Sequence, residues 1–139
     1  MPKRYSVKAR PYNADIDALQ RACLPGDEPV MDDPNYLYWL TFKDGVPVAF
    51  IVMHDNGSYW YLKRAGTLPA HEGNRLYPRM LRAAFKAMRK QGVYTCVTDT
   101  ANWNWRSNNG LIRAGFRMYQ PQEKWGWEDG LYWKIDLCH

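Results

Sequence analysis

The chain has 139 residues, of which 46% are hydrophobic and 24% are charged, and its formal net charge is +5. This length and composition predict a soluble globular protein with a single domain over residues 1–139, and they exclude a fibrous chain or one without a core. The longest apolar run, VPVAFIVM at 46–53, is too short to span a membrane, and no apolar region follows the basic N-terminus as in a secretory signal.

The first part of the chain predicts a strand, a helix and a three-stranded meander. Asn13 is suited to cap the helix, and the sequences KDG and DNG mark the two hairpin turns. The acidic, proline-rich segment 24–35 predicts a loop. The predicted elements are a strand at 5–9, a helix at 13–23 and strands at 36–42, 46–54 and 58–65.

The second part contains the strongest helical pattern. Pro78 fits the first helical position, and Gly92 fits the stop. An apolar stripe at helical spacing is formed by Leu81, Ala84, Phe85 and Met88. The predicted elements are a helix at 78–91, a strand at 93–99, a short helix near 105–114 and strands at 115–120 and 131–137.

The order of these elements mixes antiparallel hairpins with strand–helix–strand units, which predicts a fold of the α/β class, α+β type. One such unit consists of 58–65, 78–91 and 93–99. Ligands of such sheets gather where the carboxyl end of a strand meets the start of the next helix. The stretch LPAHEGNRLYPRML at 68–81 occupies that place.

The charges are unevenly distributed along the chain. Residues 15–33 carry six acids against one arginine, whereas residues 56–98 carry eight cations against one acid, Glu72. The middle of the chain therefore favours an anionic partner: a nucleotide-like cofactor, a nucleic acid or an acidic protein. A solvated basic face is the alternative.

The start of the predicted helix at 78–91 is a candidate phosphate site. A helix N-terminus offers unpaired N–H groups and the positive end of the macrodipole, and a glycine in the preceding loop allows close approach of the backbone. Arg75, Arg79 and Arg82 oppose that dipole unless an anion binds there. Exposed arginines can also tolerate this small cost without a ligand.

A second motif, NWRSNNGLIRAGF, occupies 104–116. Together with the loop–helix and the order of elements, it resembles the GNAT superfamily of acyl-CoA-dependent N-acetyltransferases over about residues 5–137. The residues in register with the family are Asn104, Ser107, Leu111, Ile112, Arg113, Gly115 and Phe116. The resemblance implies a mixed, mostly antiparallel sheet of six to seven strands, flanked by three or four helices.

The resemblance also implies an enzyme that moves an acetyl group from acetyl-CoA to an amine of a small molecule or protein. In the family pattern R/Q-x-x-G-x-G/A, Glu72 falls on the first position, Arg75 on the first glycine and Tyr77 on the last small residue. The cofactor-binding residues implied are Gly66, Thr67, Leu68, Gly73, Asn74, Arg75, Leu76, Tyr77, Arg79, Asn104 and Ser107.

Two residues are catalytic candidates. Asp99 ends the predicted strand beside the cleft and could be the base, although such an aspartate more often caps a turn. Many family members have a tyrosine acid where this chain has Leu111, so Tyr119 is a candidate replacement, with simple strand packing as its alternative.

The family places the acceptor site near the loop at 122–130. Trp125 and Trp127 lie in that loop, and Trp103 and Trp105 lie on the other side of the cleft in sequence. Exposed tryptophans would suit an apolar acceptor or a protein partner, and packing over the core is the alternative.

Two other functions stay open: an inactive GNAT-fold binding or structural module, and a nucleic-acid binder using the cations on the helix at 78–91. A homodimer or an assembly partner is also possible. The cysteines, Cys23, Cys96 and Cys138, are odd in number and widely spaced, without a CxxC motif. They predict reduced thiols, a cytoplasmic location and no bound metal.

Overall fold

The computed structural model of the chain describes residues 4–30, 32–126 and 129–137. They form a seven-stranded sheet in the order β1-β2-β3-β4-β5-β7-β6, with three α-helices. Neighbouring strands are antiparallel except β4 and β5, which are parallel, so the predicted mixed sheet is confirmed. The elements are β1 (Tyr5–Arg10), α1 (Ala14–Cys23), β2 (Tyr36–Lys43), β3 (Val46–Asp55), β4 (Trp60–Thr67), α2 (Leu76–Lys90), β5 (Thr95–Thr100), α3 (Trp105–Ala114), β6 (Arg117–Met118) and β7 (Leu131–Asp136).

The sheet is covered on both faces, and the alternation of side chains along β3 shows how. Phe50 and Val52 pack in one buried cluster with residues of α1, whereas Ile51 and Met53 pack in the other with residues of α2. Successive side chains of a strand point to opposite faces, so a strand buried on both faces is apolar throughout. The long apolar run of the sequence is therefore this central strand.

Helix α2 begins earlier than predicted. It starts at Leu76, so Pro78 is its third residue and the prediction of a first helical position was wrong. The N–H groups of the first helical turn have no hydrogen-bond acceptor within the helix. A proline, which has no N–H group, is therefore tolerated there. The end agrees with the prediction to within one residue, because α2 ends at Lys90 and Gly92, two residues later, has a φ of 74°. The four residues of the predicted apolar stripe are all buried.

Other local predictions were confirmed or shortened. The side chain of Asn13 caps α1 by accepting from the N–H groups of Asp15 and Ile16. The strand predicted at 115–120 is reduced to Arg117–Met118. Its first two residues instead close α3, because the Gly115 N–H donates to Ile112 and the Phe116 N–H donates to Leu111.

The described part of the chain holds two free cysteines, and Cys138 lies outside it. Burial raises the pKa of Cys96 to about 12, so its thiol is protonated at neutral pH. No helix within 4–30, 32–126 or 129–137 is long and apolar enough to cross a membrane.

Replacement of Gly66 by alanine tests the close packing of α1 over β4. A β-carbon at Gly66 would lie 2.7 Å from Cys23 Cβ and 2.8 Å from Phe50 Cε1. We expect Gly66→Ala to lower the free energy of unfolding by about 1–3 kcal/mol in urea denaturation, through overpacking. Gly26 has open space around its α-carbon, so Gly26→Ala should change it by no more than about 0.5 kcal/mol. Equal stability of both variants would contradict the packing described.

Candidate active site

Strands β4 and β5 pair over a very short distance. Trp60 pairs with Cys96 and Tyr61 with Val97, and the parallel ladder ends there. Beyond this point β4 continues against β3, and β5 continues against β7. The facing edges, 62–67 on β4 and 98–100 on β5, are therefore unpaired with each other and enclose what we call the β4–β5 cleft. Thr98 Oγ1 donates to the Leu62 carbonyl at 2.7 Å and marks its closed end.

A bulge in β4 lies beside this closed end. Val52 of β3 pairs with Arg64, but the next residue, Met53, pairs with Leu62, which leaves Lys63 without a partner in the ladder. A bulge bends its strand and increases the local twist. Lys63 is therefore the position where β4 turns away from β5.

The N-terminus of α2 follows β4 at the open end of the cleft. Arg75, which precedes the helix, is exposed and has a left-handed φ of 59°, and no side chain of the described residues caps the helix. The N–H groups of Leu76 and Tyr77 thus have no partner within the helix, while Pro78 has no N–H to offer. This helix end can accept an anion through two backbone donors and the macrodipole.

The loop between β4 and α2 is held by its own side chains. Asn74 Nδ2 donates to the carbonyl of His71 at 2.9 Å and lies 3.3 Å from that of Glu72. Gly73 has a φ of 81° and open space around its α-carbon. Glu72 Oε2 accepts from Nη1 of Arg106, on α3, at 2.9 Å.

The predicted cofactor residues on α2 point in different directions. Arg79 Nη2 donates to the Tyr5 carbonyl of β1 at 3.0 Å, which holds that guanidinium away from α3. The ring of Tyr77 lies 3.4 Å from the site of a β-carbon on Gly110, so it fills the space between α2 and α3. Burial raises the pKa of the Tyr77 hydroxyl. Leu76 is buried in the core.

The predicted residues at the end of β4 remain part of the sheet. Gly66 pairs with Phe50 and Thr67 with Ala49. The Leu68 N–H donates to the Val48 carbonyl at 2.9 Å, so β3 already uses that donor.

Across the cleft, the side chain of Asn104 has a structural role. Its Oδ1 accepts from the Ser107 N–H at 3.4 Å and caps α3. Trp103 and Trp105 flank this cap and are 71% and 65% exposed, so they do not pack over the core. Leu111 is 1% exposed, and its role is packing.

Asp99 lies on the face of the sheet opposite α2. Cys96 of the same strand belongs to the cluster under α2, and alternation directs Asp99, three residues later, to the other face. The Tyr61 hydroxyl donates to Asp99 Oδ1 at 2.5 Å. Burial, and then this hydrogen bond, raise the pKa of Tyr61. The two side chains join β4 and β5 at the closed end of the cleft.

Asp99 belongs to a row of side chains that crosses β4, β5 and β7 and ends at Tyr119, the residue after β6. It pairs with Tyr132 of β7, whose carbonyl accepts from the Tyr119 N–H at 2.9 Å. Tyr61, Asp99, Tyr132 and Tyr119 follow one another in that order. The two predicted catalytic residues thus share a row, with Tyr132 between them, and burial raises the pKa of Tyr119.

The loop between β6 and β7 covers Asp99. The Gly126 N–H donates to the Tyr132 hydroxyl at 3.0 Å, and a β-carbon on Gly126 would collide with the Asp99 carboxylate. The ring of Trp125 meets Tyr132 edge-on, with centroids 4.6 Å apart. Trp127 lies outside the described residues. Glycine at 126 is therefore what allows the loop to approach the carboxylate.

The family model of the acetyltransferase (GNAT) family matches residues 8–116. The chain belongs to the GNAT family. No curated protein matches it in sequence. Among solved structures, the ribosomal-protein-S18-alanine N-acetyltransferase from Escherichia coli has a TM-score of 0.77 at 12% identity, covering 96% of this chain and 96% of that one.

Two further structures show the same fold. The PaiA N-acetyltransferase from Thermoplasma acidophilum, in complex with coenzyme A, has a TM-score of 0.76 at 14% identity, covering 94% of this chain and 99% of that one. An acetyltransferase from Streptococcus agalactiae has a TM-score of 0.76 at 16% identity, covering 96% of this chain and 98% of that one. This GNAT protein therefore shares their architecture over 94–96% of its length.

A buried polar network fixes the wall of the cleft in this GNAT protein. Thr100 Oγ1 donates to Asn108 Oδ1 at 2.5 Å and accepts from Trp133 Nε1 at 2.9 Å. Asn108 Nδ2 points to the carbonyls of Ala101 and Asn102, each at 3.4 Å. The network ties the end of β5 to α3. The sequence did not predict it, because Asn108 is one of several polar residues in NWRSNNG and nothing in the motif singles it out.

Removal of Asn108 should destabilise the protein. Asn108→Ala leaves Thr100 and two carbonyls without their buried partner, so we expect the free energy of unfolding to fall by about 1–3 kcal/mol in urea denaturation. Asn109 is its exposed neighbour on α3, and Asn109→Ala should change that free energy by no more than about 0.5 kcal/mol. Equal losses in both variants would contradict the role assigned to the network.

Proposed function

We propose that this protein transfers an acetyl group from acetyl-CoA to an amine of a small molecule or protein. One observation carries the proposal: the uncapped N-terminus of α2 lies at one end of the β4–β5 cleft, and the carboxylate of Asp99 lies at the other end on the opposite face of the sheet. This arrangement suits a donor that binds at the helix end and an acceptor that binds near the carboxylate. The neighbour solved with coenzyme A supports acetyl-CoA as the donor.

The residues around the cleft fit an acyl-CoA molecule. Its diphosphate would be held by the N–H groups of Leu76 and Tyr77 and by the exposed Arg75, which replaces a glycine with a charged donor. The open space at Gly73 gives the phosphate access to the backbone. The rest of the donor would follow the edge formed by Gly66 and Thr67 at the end of β4 and by the next residue, Leu68. Asn104 and Ser107, at the start of α3, would lie on its other side. Acetyl-CoA supplies the activated acetyl thioester.

Asp99 is the residue we propose as the general base. An ammonium must lose a proton before it can attack a carbonyl, and a carboxylate within reach of it can accept that proton. Tyr61 donates to Oδ1 and orients the carboxylate, while Oδ2 lies beside Gly126 on a residue that is only half-buried. The half-buried position strengthens attraction between the carboxylate and a cationic acceptor.

The leaving thiolate needs a proton, and two tyrosines can supply it. Tyr119 is the candidate from the sequence. Tyr61 is closer to the cleft, because it belongs to the last pair of the β4–β5 ladder. Its hydroxyl donates to Asp99 Oδ1, so the proton that Asp99 takes from the amine can replace the one that Tyr61 gives to the thiolate, and this geometry favours Tyr61 as the acid.

A second candidate function is a GNAT-fold binding or structural module without catalysis. The observation that favours it is the burial of Leu111, where the family often has its tyrosine acid. The exposed Trp103 and Trp105 would then contact a partner protein. This function predicts binding of CoA, or of a partner, without transfer to any amine.

We also propose that the chain works as one domain in the cytoplasm. One sheet runs from β1 to β6 and includes the strands from both ends of the chain, which supports a single unit. The free thiols of Cys23 and Cys96 suit a reducing compartment.

Replacement of Asp99 tests the proposed chemistry. We expect Asp99→Asn to lower kcat/KM about 10²–10⁴-fold, the usual contribution of a general base. The measurement is release of free thiol from acetyl-CoA with a panel of primary amines. Asp44 lies in the β2–β3 turn with a φ of 52°, a conformation that asparagine also accepts, so Asp44→Asn should leave the rate unchanged. Wild-type rates for Asp99→Asn would exclude Asp99 as the base.

A further inference from the structure

Glu72 is the only acid between residues 56 and 98, a segment with eight cations. Its carboxylate is engaged by Arg106, 34 residues further along the chain, with Oε2 and Nη1 2.9 Å apart. The Glu72 and Arg106 side chains are 43% and 69% exposed. A ligand arriving from solvent can therefore reach both partners of this ion pair.

The Glu72–Arg106 pair crosses the open end of the β4–β5 cleft. Glu72 lies in the connection from β4 to α2, and Arg106 is the second residue of α3, which follows β5. An arginine in the first turn of a helix opposes the macrodipole, and that position favours an anion instead. In this structure, the anion paired with Arg106 is the carboxylate of Glu72.

We propose that Arg106 binds the diphosphate of a CoA-type ligand and that Glu72 is a built-in competitor, which holds Arg106 until the phosphate displaces it. The inference rests on the proposed function in taking acetyl-CoA as the natural ligand. Arginine binds phosphate through two parallel, charge-assisted hydrogen bonds. An exposed ion pair contributes little stability, so the exchange of partners costs little.

The exchange gives the two residues opposite effects on affinity. Arg106 attracts the phosphate, whereas Glu72 competes for Arg106 before binding and repels the phosphate afterwards. Glu72→Gln should therefore tighten binding, and Arg106→Gln should weaken it. If the ion pair only stabilised the loop, both substitutions would change the affinity for CoA in the same direction, because either one removes the same contact.

The experiment is calorimetric titration of the full chain with CoA at low salt. We expect the Kd to fall about 3- to 10-fold in Glu72→Gln and to rise about 10-fold in Arg106→Gln, with both effects shrinking as salt screens the charges. Arg106→Lys keeps the charge without the paired geometry, so its Kd should lie between those of wild type and Arg106→Gln. Pantetheine has no diphosphate and should bind all variants equally.

The pair Asp17–Arg21 on α1 is a matched control, since it is also an exposed ion pair at 2.9 Å. Asp17→Asn and Arg21→Gln should leave the Kd for CoA unchanged, and thermal unfolding should show that all variants are folded. Effects of one sign in Glu72→Gln and Arg106→Gln, weaker binding in Glu72→Gln, or no CoA binding by any variant would overturn the inference.

The titration and an acetyl-transfer assay together distinguish failure of this inference from failure of the proposed function. Opposite shifts of the Kd in a protein that acetylates no amine would support the exchange and contradict the transferase. Acetyl transfer combined with shifts of one sign would support the transferase and contradict the exchange.

Discussion

The candidate site depends on a parallel ladder that stops after two residue pairs. Trp60 and Tyr61 are the last residues of β4 to pair with β5, and the bulge at Lys63 turns β4 away. Both strands stay within the sheet because β3 and β7 hold their outer edges. A cleft with unpaired backbone edges can therefore exist in the middle of a stable sheet, where β-structure is otherwise continuous.

The two sides of the sheet differ in chemistry at this cleft. On the side of α2, an uncapped helix end and Arg75 provide donors for an anion. On the opposite side, Asp99 stands in a row of tyrosines beneath the loop that contains Gly126. The separation suits a reaction in which an anionic donor and a cationic acceptor bind at different sites and react between them. The distribution of charge along the sequence agrees with this separation, because residues 56–98 carry eight cations against one acid.

Local features were predictable from the sequence, and features that depend on strand register were not. The cap at Asn13 and the stripe of α2 follow from residues within one or two turns of each other. Asp99 was identified as a candidate, but its partner Tyr61 lies 38 residues away and is selected only by pairing of β4 with β5. The same holds for Arg106 and Glu72. The strand at 115–120 was overestimated because backbone hydrogen bonds closing α3 took its first residues.

The most direct measurement is an amide NMR titration of the uniformly labelled chain with acetyl-CoA. If the β4–β5 cleft holds the donor, the largest shifts will occur at the N–H groups of Leu76 and Tyr77 and along residues 62–67 and 98–100. The contradicting result is a spectrum unchanged at millimolar acetyl-CoA, or one whose changes are confined to the outer face of α2 around Lys86 and Arg89. The latter would indicate a general attraction of anions to the cationic helix.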